Sequence, residues 1–190
     1  MELFYFAYML KQIPNVLTIT RLLLVAPFLV CLRHHEFVHA FYIFIIAGCT
    51  DGLDGRLARS FAWQSHLGAI MDPLADKILI TVSFIGLAWL HILPWWVVLL
   101  VLFRDVTISL GVIAWYIWIS KSPKLKPTYI SKINTGLQLS LVLICLFEKA
   151  FFMVIPMLKP LCMSLMVFTT SVSLIDYVWT WGKEAWRRRK

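Results

Sequence analysis

Residues 51–76 read DGLDGRLARSFAWQSHLGAIMDPLAD, and the reading of this stretch decides the fold. It holds four carboxylates in two pairs, Asp51 with Asp54 and Asp72 with Asp76, and each pair is flanked by apolar sequence long enough to enter a bilayer. A carboxylate within or at the end of a membrane helix costs a few kcal/mol unless it faces a polar cavity or a partner, so it marks a functional position by default. The pairs are spaced i,i+3 and i,i+4, which puts both members of each on one helix face. Gly52, Gly55 and Ala58 leave room beside the first pair.

Composition places the whole chain in lipid. Of its 190 residues 61% are hydrophobic and only 15% charged, with a mean hydropathy of +0.80; a soluble domain carries about 25% charged residues. The expected architecture is all-α: one domain over residues 1–190, a polytopic bundle of six transmembrane helices behind an N-terminal interfacial segment. The formal net charge of +8 gathers at Arg56 and Arg59, along Lys121, Lys124, Lys126 and Lys132, and in the tail from Arg187 to Lys190. Such clusters suit anionic lipid head groups; they form no continuous basic face, which argues against nucleic acid. Cys31, Cys49, Cys145 and Cys162 stand singly, without the close spacing of a metal or redox motif, and are read as small packing residues.

Outward from the acidic stretch, apolar spans are expected at residues 15–32, 37–50, 67–92, 95–119, 134–147 and 151–181, the last interrupted by Pro156 and Pro160. The N-terminal residues lack a basic region and a small-residue cleavage site, so they read as an interfacial segment with Phe4, Tyr5, Tyr8 and Met9 toward lipid, not as a signal peptide. Asn15, Thr18 and Arg21 form a polar stripe at the start of the first span, the alternative being a snorkelling arginine beside two capping residues. His34 and His35 are adjacent, which on a helix points them about 100° apart, so a solvated loop is expected there in preference to a metal site. Arg104 and Asp105 interrupt the fourth span, either as a structural salt bridge or as support for the acidic site. Arg56 and Arg59, the Lys121 to Lys132 loop and the Arg187 to Lys190 tail fall on one side of a six-span arrangement, and the loop at 91–96 has no Lys or Arg, so both termini and the acidic stretch are expected to face the cytoplasm, from the inner or cell membrane if the source is bacterial.

Four carboxylates brought together cannot all ionise without cations. Hard divalent ions with oxygen ligands, Mg²⁺ or Mn²⁺, are the natural neutralisers, and Mg²⁺ binds through carboxylates together with substrate phosphates. Two ions about 4 Å apart stabilise both the attacking and the leaving oxygen of a phosphoryl-type displacement. Gly55 permits close backbone approach, and Arg56 or Arg59 can meet a phosphate through charge-assisted hydrogen bonds. A proton relay or an ion pathway would use intramembrane acids too.

The spacing D-x2-D-G-x2-A-R-x8-G-x3-D-x3-D is complete at Asp51, Asp54, Gly55, Ala58, Arg59, Gly68, Asp72 and Asp76. It resembles the signature of the CDP-alcohol phosphatidyltransferase family, and the segments PNVLTITR (14–21), DPLADKILI (72–80) and KPTYISKINTGLQ (126–138) extend the likeness over most of the chain. The resemblance implies a six-helix homodimeric membrane enzyme in which an acceptor hydroxyl displaces CMP from a CDP-linked lipid with the help of two divalent ions. It implies that Asp51, Asp54, Asp72 and Asp76 hold the metals, with Asp76 also the general base. Gly55, Ala58 and Arg59 would flank the cytidine diphosphate, and Asn15 and Thr18 are assigned to the same nucleotide site. The 126–138 segment resembles eukaryotic-type cardiolipin synthases more than phosphatidylglycerophosphate synthases. The expected reaction is therefore transfer from CDP-diacylglycerol to phosphatidylglycerol, with glycerol 3-phosphate as the alternative acceptor and Arg104 and Lys132 as acceptor contacts in either case. A divalent-cation carrier is the competing class; it would use the carboxylates but has no need of Gly55, Ala58 and Arg59.

Overall fold

A computed structural model describes the backbone of residues 19–61, 68–118, 129–152 and 155–188, and the side chains of residues 19–50, 77–111, 129–152 and 155–179. All regular structure among the described residues is helical. The helices are α1 (residues 19–33), α2 (Phe37–Phe61), α3 (Gly68–Trp89), α4 (Trp95–Trp118), α5 (Tyr129–Phe151) and α6 (Leu158–Arg188). Tyr129–Phe151 and Leu158–Trp179 are each long and apolar enough to cross a membrane, and Phe37–Thr50 and Lys77–Trp89 form shorter apolar helical stretches. The expected interfacial segment, with Phe4, Tyr5, Tyr8 and Met9, lies outside the described residues.

The chain divides into two compact units, one of Met1–Leu90 with Cys145–Val154, the other of His91–Ile144 with Ile155–Lys190. In the first, Phe28 and Leu32 of α1, Ala40, Phe44 and Ala47 of α2, and Leu79, Ile80, Phe84, Leu87 and Ala88 of α3 are buried. Their recurrence at three- and four-residue steps marks the inward stripe of each helix. Gly86 lets α1 and α3 approach closely: a Cβ there would stand 2.8 Å from Leu32 Cδ1. Phe41 packs against Phe147 and Phe151, with ring centroids 5.7 and 5.6 Å away.

The turn between α1 and α2 explains the histidine pair. His35 N–H donates to Leu32 O (3.1 Å), Glu36 N–H donates to Cys31 O (2.8 Å), and His35 has φ 60°. This is a Schellman cap, in which the left-handed residue usually is glycine. His35 fills that position, helped by the tolerance of His for left-handed backbone. His39 Nδ1 lies 3.3 Å from Glu36 Oε2 at the exposed start of α2. Arg21 is buried at 1% exposure, so its side chain does not run out along the helix to water.

In the second unit α4 packs against α6. Val97, Val98 and Val101 of α4, Leu141 and Val142 of α5, and Cys162 and Met166 of α6 are buried, and so is a line of polar side chains: Arg104, Asn134, Gln138, Thr170 and Ser173. Cys145 is buried in the first unit, Cys49 is exposed, and all four cysteines are free. Exposed Trp89, Trp95 and Trp96 flank the α3–α4 turn, where such rings suit a membrane–water boundary.

Candidate active site

The structure distributes the acidic motif over two consecutive helices of the first unit. α2 carries Asp51, Asp54, Gly55, Ala58 and Arg59 in its second half, after the apolar stretch Phe37–Thr50. α3 carries Gly68, Asp72 and Asp76 in its first half, ahead of the apolar stretch Lys77–Trp89. The acid-bearing ends are the ones joined by residues 62–67. A connection that short separates them by at most about 25 Å. Pro73 sits beside Asp72 and has no N–H to give the carbonyl of residue 69, which is left with spare acceptor capacity in that turn.

Helical backbone through both pairs keeps Asp51 and Asp54, and separately Asp72 and Asp76, at positions that share a face. The donor set fits a hard divalent cation: the potential ligands among the eight fixed positions are four carboxylates, oxygen only. The side chains of Asp51, Asp54, Gly55, Arg56, Ala58, Arg59, Asp72 and Asp76 lie outside the described residues, as do Asn15 and Thr18 altogether.

The other expected site residues belong to the second unit. Arg104, on α4, is 4% exposed, and both terminal nitrogens are engaged: Nη1 donates to Asp105 Oδ1 at 2.5 Å, and Nη2 donates to Ser131 Oγ of α5 at 2.6 Å and to Ser173 Oγ of α6 at 3.1 Å. One turn further along α5, Asn134 Oδ1 lies 2.9 and 2.8 Å from the hydroxyls of Thr169 and Thr170. Ser131 thus meets the level of Ser173, and Asn134, three residues on, meets Thr170, three residues back, which fixes an antiparallel register of α5 against α6. Cys162 Sγ points at Leu137 O, 3.7 Å away, farther along the same seam. Lys132 follows Ser131 in the first turn of α5 and is exposed. Sequence reasoning missed Ser131, Asn134, Thr170 and Ser173; the signal available was the three-residue spacing within each pair, Ser131 with Asn134 and Thr170 with Ser173.

Regular structure that is helical throughout the described residues, in an apolar chain with two helices long enough to cross a membrane and paired carboxylates on the joined halves of α2 and α3, points to the class of helical membrane proteins. The family model for CDP-alcohol phosphatidyltransferase matches residues 11–176, and the chain belongs to that family. The cardiolipin synthase (CMP-forming) of Homo sapiens is 34% identical over 182 residues, covering 87% of this chain and 60% of that protein. The chain thus spans about three fifths of the length of this relative. A probable phosphatidylglycerophosphate synthase of Mycobacterium tuberculosis is 35% identical over 181 residues, covering 89% of this chain and 81% of that protein. A CDP-diacylglycerol–glycerol-3-phosphate 3-phosphatidyltransferase of Wigglesworthia glossinidia brevipalpis is 33% identical over 152 residues, 76% of this chain and 81% of the relative.

Proposed function

We propose that this chain transfers a phosphatidyl group from CDP-diacylglycerol to the hydroxyl of a glycerol-type acceptor, releasing CMP, and that the acceptor is phosphatidylglycerol. The observation that carries the reading is the complete eight-position motif, set on α2 and α3 inside a family match that runs from residue 11 to 176. A cation carrier would have no use for its glycine, alanine and arginine.

In this reading the acceptor oxygen bonds to the phosphorus that carries the diacylglycerol, the phosphoanhydride bond breaks, and CMP leaves with the bridging oxygen. Asp76 takes the hydroxyl proton, and Arg59 holds the diphosphate by charge-assisted hydrogen bonds while Gly55 and Ala58 keep the backbone open to it. Asn15 and Thr18 contact the nucleotide end. Lys132, exposed on the first turn of α5, meets the acceptor phosphate. Two divalent ions, Mg²⁺ or Mn²⁺, held by Asp51, Asp54, Asp72 and Asp76 would supply Lewis-acid stabilisation of the leaving diphosphate. The chain spans the membrane six times as a homodimer, with the motif and both termini in the cytoplasm.

Glycerol 3-phosphate is the second reading, favoured by the names of the Mycobacterium and Wigglesworthia relatives. The segment KPTYISKINTGLQ at 126–138 and the human relative favour phosphatidylglycerol. Purified protein incubated with CDP-diacylglycerol and each acceptor in turn is expected to form cardiolipin and CMP from phosphatidylglycerol, and to stop in excess EDTA. Phosphatidylglycerophosphate as the main product would transfer the assignment to the second acceptor. Full turnover in EDTA would remove the metals from the mechanism.

A further inference from the structure

Arg104 is a cation buried in the second unit, and its two terminal nitrogens are committed to Asp105, Ser131 and Ser173. A guanidinium held this way has its charge balanced by the neighbouring carboxylate at Nη1 and is tied through Nη2 to two other helices, while its buried Nε has no partner among the described residues. Its nearest consequence falls on the first turn of α5. Tyr129 is 82% exposed, and Lys132 and Ile133 are exposed as well, so this turn has little packing to hold it. The first N–H groups of any helix also lack intrahelical partners, and such ends open at low free energy. The bond from Arg104 to Ser131 pins that turn one residue before Lys132.

We infer that Arg104 and Ser131 are positioning residues for the acceptor: Arg104, itself braced on α6 by Ser173, fixes the first turn of α5 through Ser131 and so holds Lys132 where the acceptor phosphate meets it. The inference rests on the acceptor role of Lys132 given above. It separates two jobs within the pair Arg104 and Lys132: the buried cation orders the helix end, and the exposed one binds. The ladder from Asn134 to Thr169 and Thr170 keeps α5 in register with α6 behind this turn, so loss of the Ser131 bond loosens the turn without releasing the helix.

The experiment uses the full chain in detergent with CDP-diacylglycerol and phosphatidylglycerol, measuring kcat and both KM values for Ser131→Ala, Ser131→Thr, Lys132→Ala and the double variant Ser131→Ala/Lys132→Ala. Ser131→Ala is expected to raise the acceptor KM roughly 3- to 20-fold, the factor that corresponds to one hydrogen bond between membrane helices. The CDP-diacylglycerol KM stays unchanged, Ser131→Thr restores the acceptor KM by keeping the hydroxyl, and Ser131→Ala adds nothing once Lys132 is alanine. Full multiplication of the two single effects would overturn the inference, since Ser131 would then act independently of Lys132. An equal rise in both KM values, or a fall in thermal stability that accounts for the loss, would reduce the bond to general support of the fold. If Lys132→Ala leaves the acceptor KM alone, the acceptor role of Lys132 fails and this inference with it, while cardiolipin formation by the unmodified chain shows that the transfer reaction itself stands.

Discussion

At the scale of single residues, Asp76 carries the most specific expectation. Asn in its place keeps shape and hydrogen-bonding capacity but cannot take a proton. If Asp76 is the base, Asp76→Asn lowers turnover by about 10² to 10⁴, while binding of CDP-diacylglycerol survives on the remaining three aspartates. Turnover and binding measured on the same variant across a Mg²⁺ titration decide the point: a rate restored by excess Mg²⁺ would make Asp76 a ligand and nothing more. The motif was legible because intramembrane carboxylates are costly and their spacing is helical. The cap at His35 was not, since a left-handed residue that is not glycine leaves no mark in composition. The partners of Arg104 were hidden for a related reason: a serine or threonine in an apolar run can bond to its own helix, as Ser171 does to Val167 O (3.0 Å), or to a neighbouring helix, as Ser131 does.

At the scale of the helices, the apolar pattern found the elements and hydrogen bonding set several of their ends. α5 was expected over 134–147 and runs Tyr129–Phe151; at its start Ser131, polar in sequence, accepts from Arg104 of α4 and therefore belongs inside the helix. α5 closes at Phe152, with φ 55°, and α6 begins at Leu158, where Pro160 lies in the first turn and costs no intrahelical bond. The expected break at Pro156 stands between the two helices. Packing gives paired predictions for two helical glycines. Gly86→Leu forces bulk against Leu32 Cδ1 and Leu29 Cδ2, which a Cβ alone would already approach to 2.8 and 3.7 Å, and it should destabilise by about 1–3 kcal/mol. Gly136→Ala meets nothing within 4 Å and should stabilise by about 0.5–1 kcal/mol through reduced backbone freedom. Thermal unfolding of both variants in detergent checks them together; equal shifts of one sign would mean that the contact between α1 and α3 has no energetic weight.

At the scale of the whole molecule the charge distribution predicts how the chain lies in its membrane. In a six-span arrangement the α2–α3 connection, the α4–α5 connection and both termini share one side. That side takes Arg56, Arg59, Lys121, Lys124, Lys126 and Lys132 and the tail Arg187 to Lys190, whereas Arg33, Lys149 and Lys159 fall on the other and residues 91–96 have no Lys or Arg. Lys and Arg resist translocation, so the prediction for a six-span chain is that the richer side faces the cytoplasm. The exposed tryptophans at Trp89, Trp95 and Trp96 then mark the outer boundary, next to His91, which is itself exposed in the α3–α4 turn. With the native cysteines replaced, His91→Cys in intact cells should react with a membrane-impermeant maleimide, and Lys126→Cys only after permeabilisation. The reverse pattern would invert the orientation. Labelling of both positions from outside would break the six-span count itself, because α4 lies between 91 and 126 and in that count carries the chain from one side to the other.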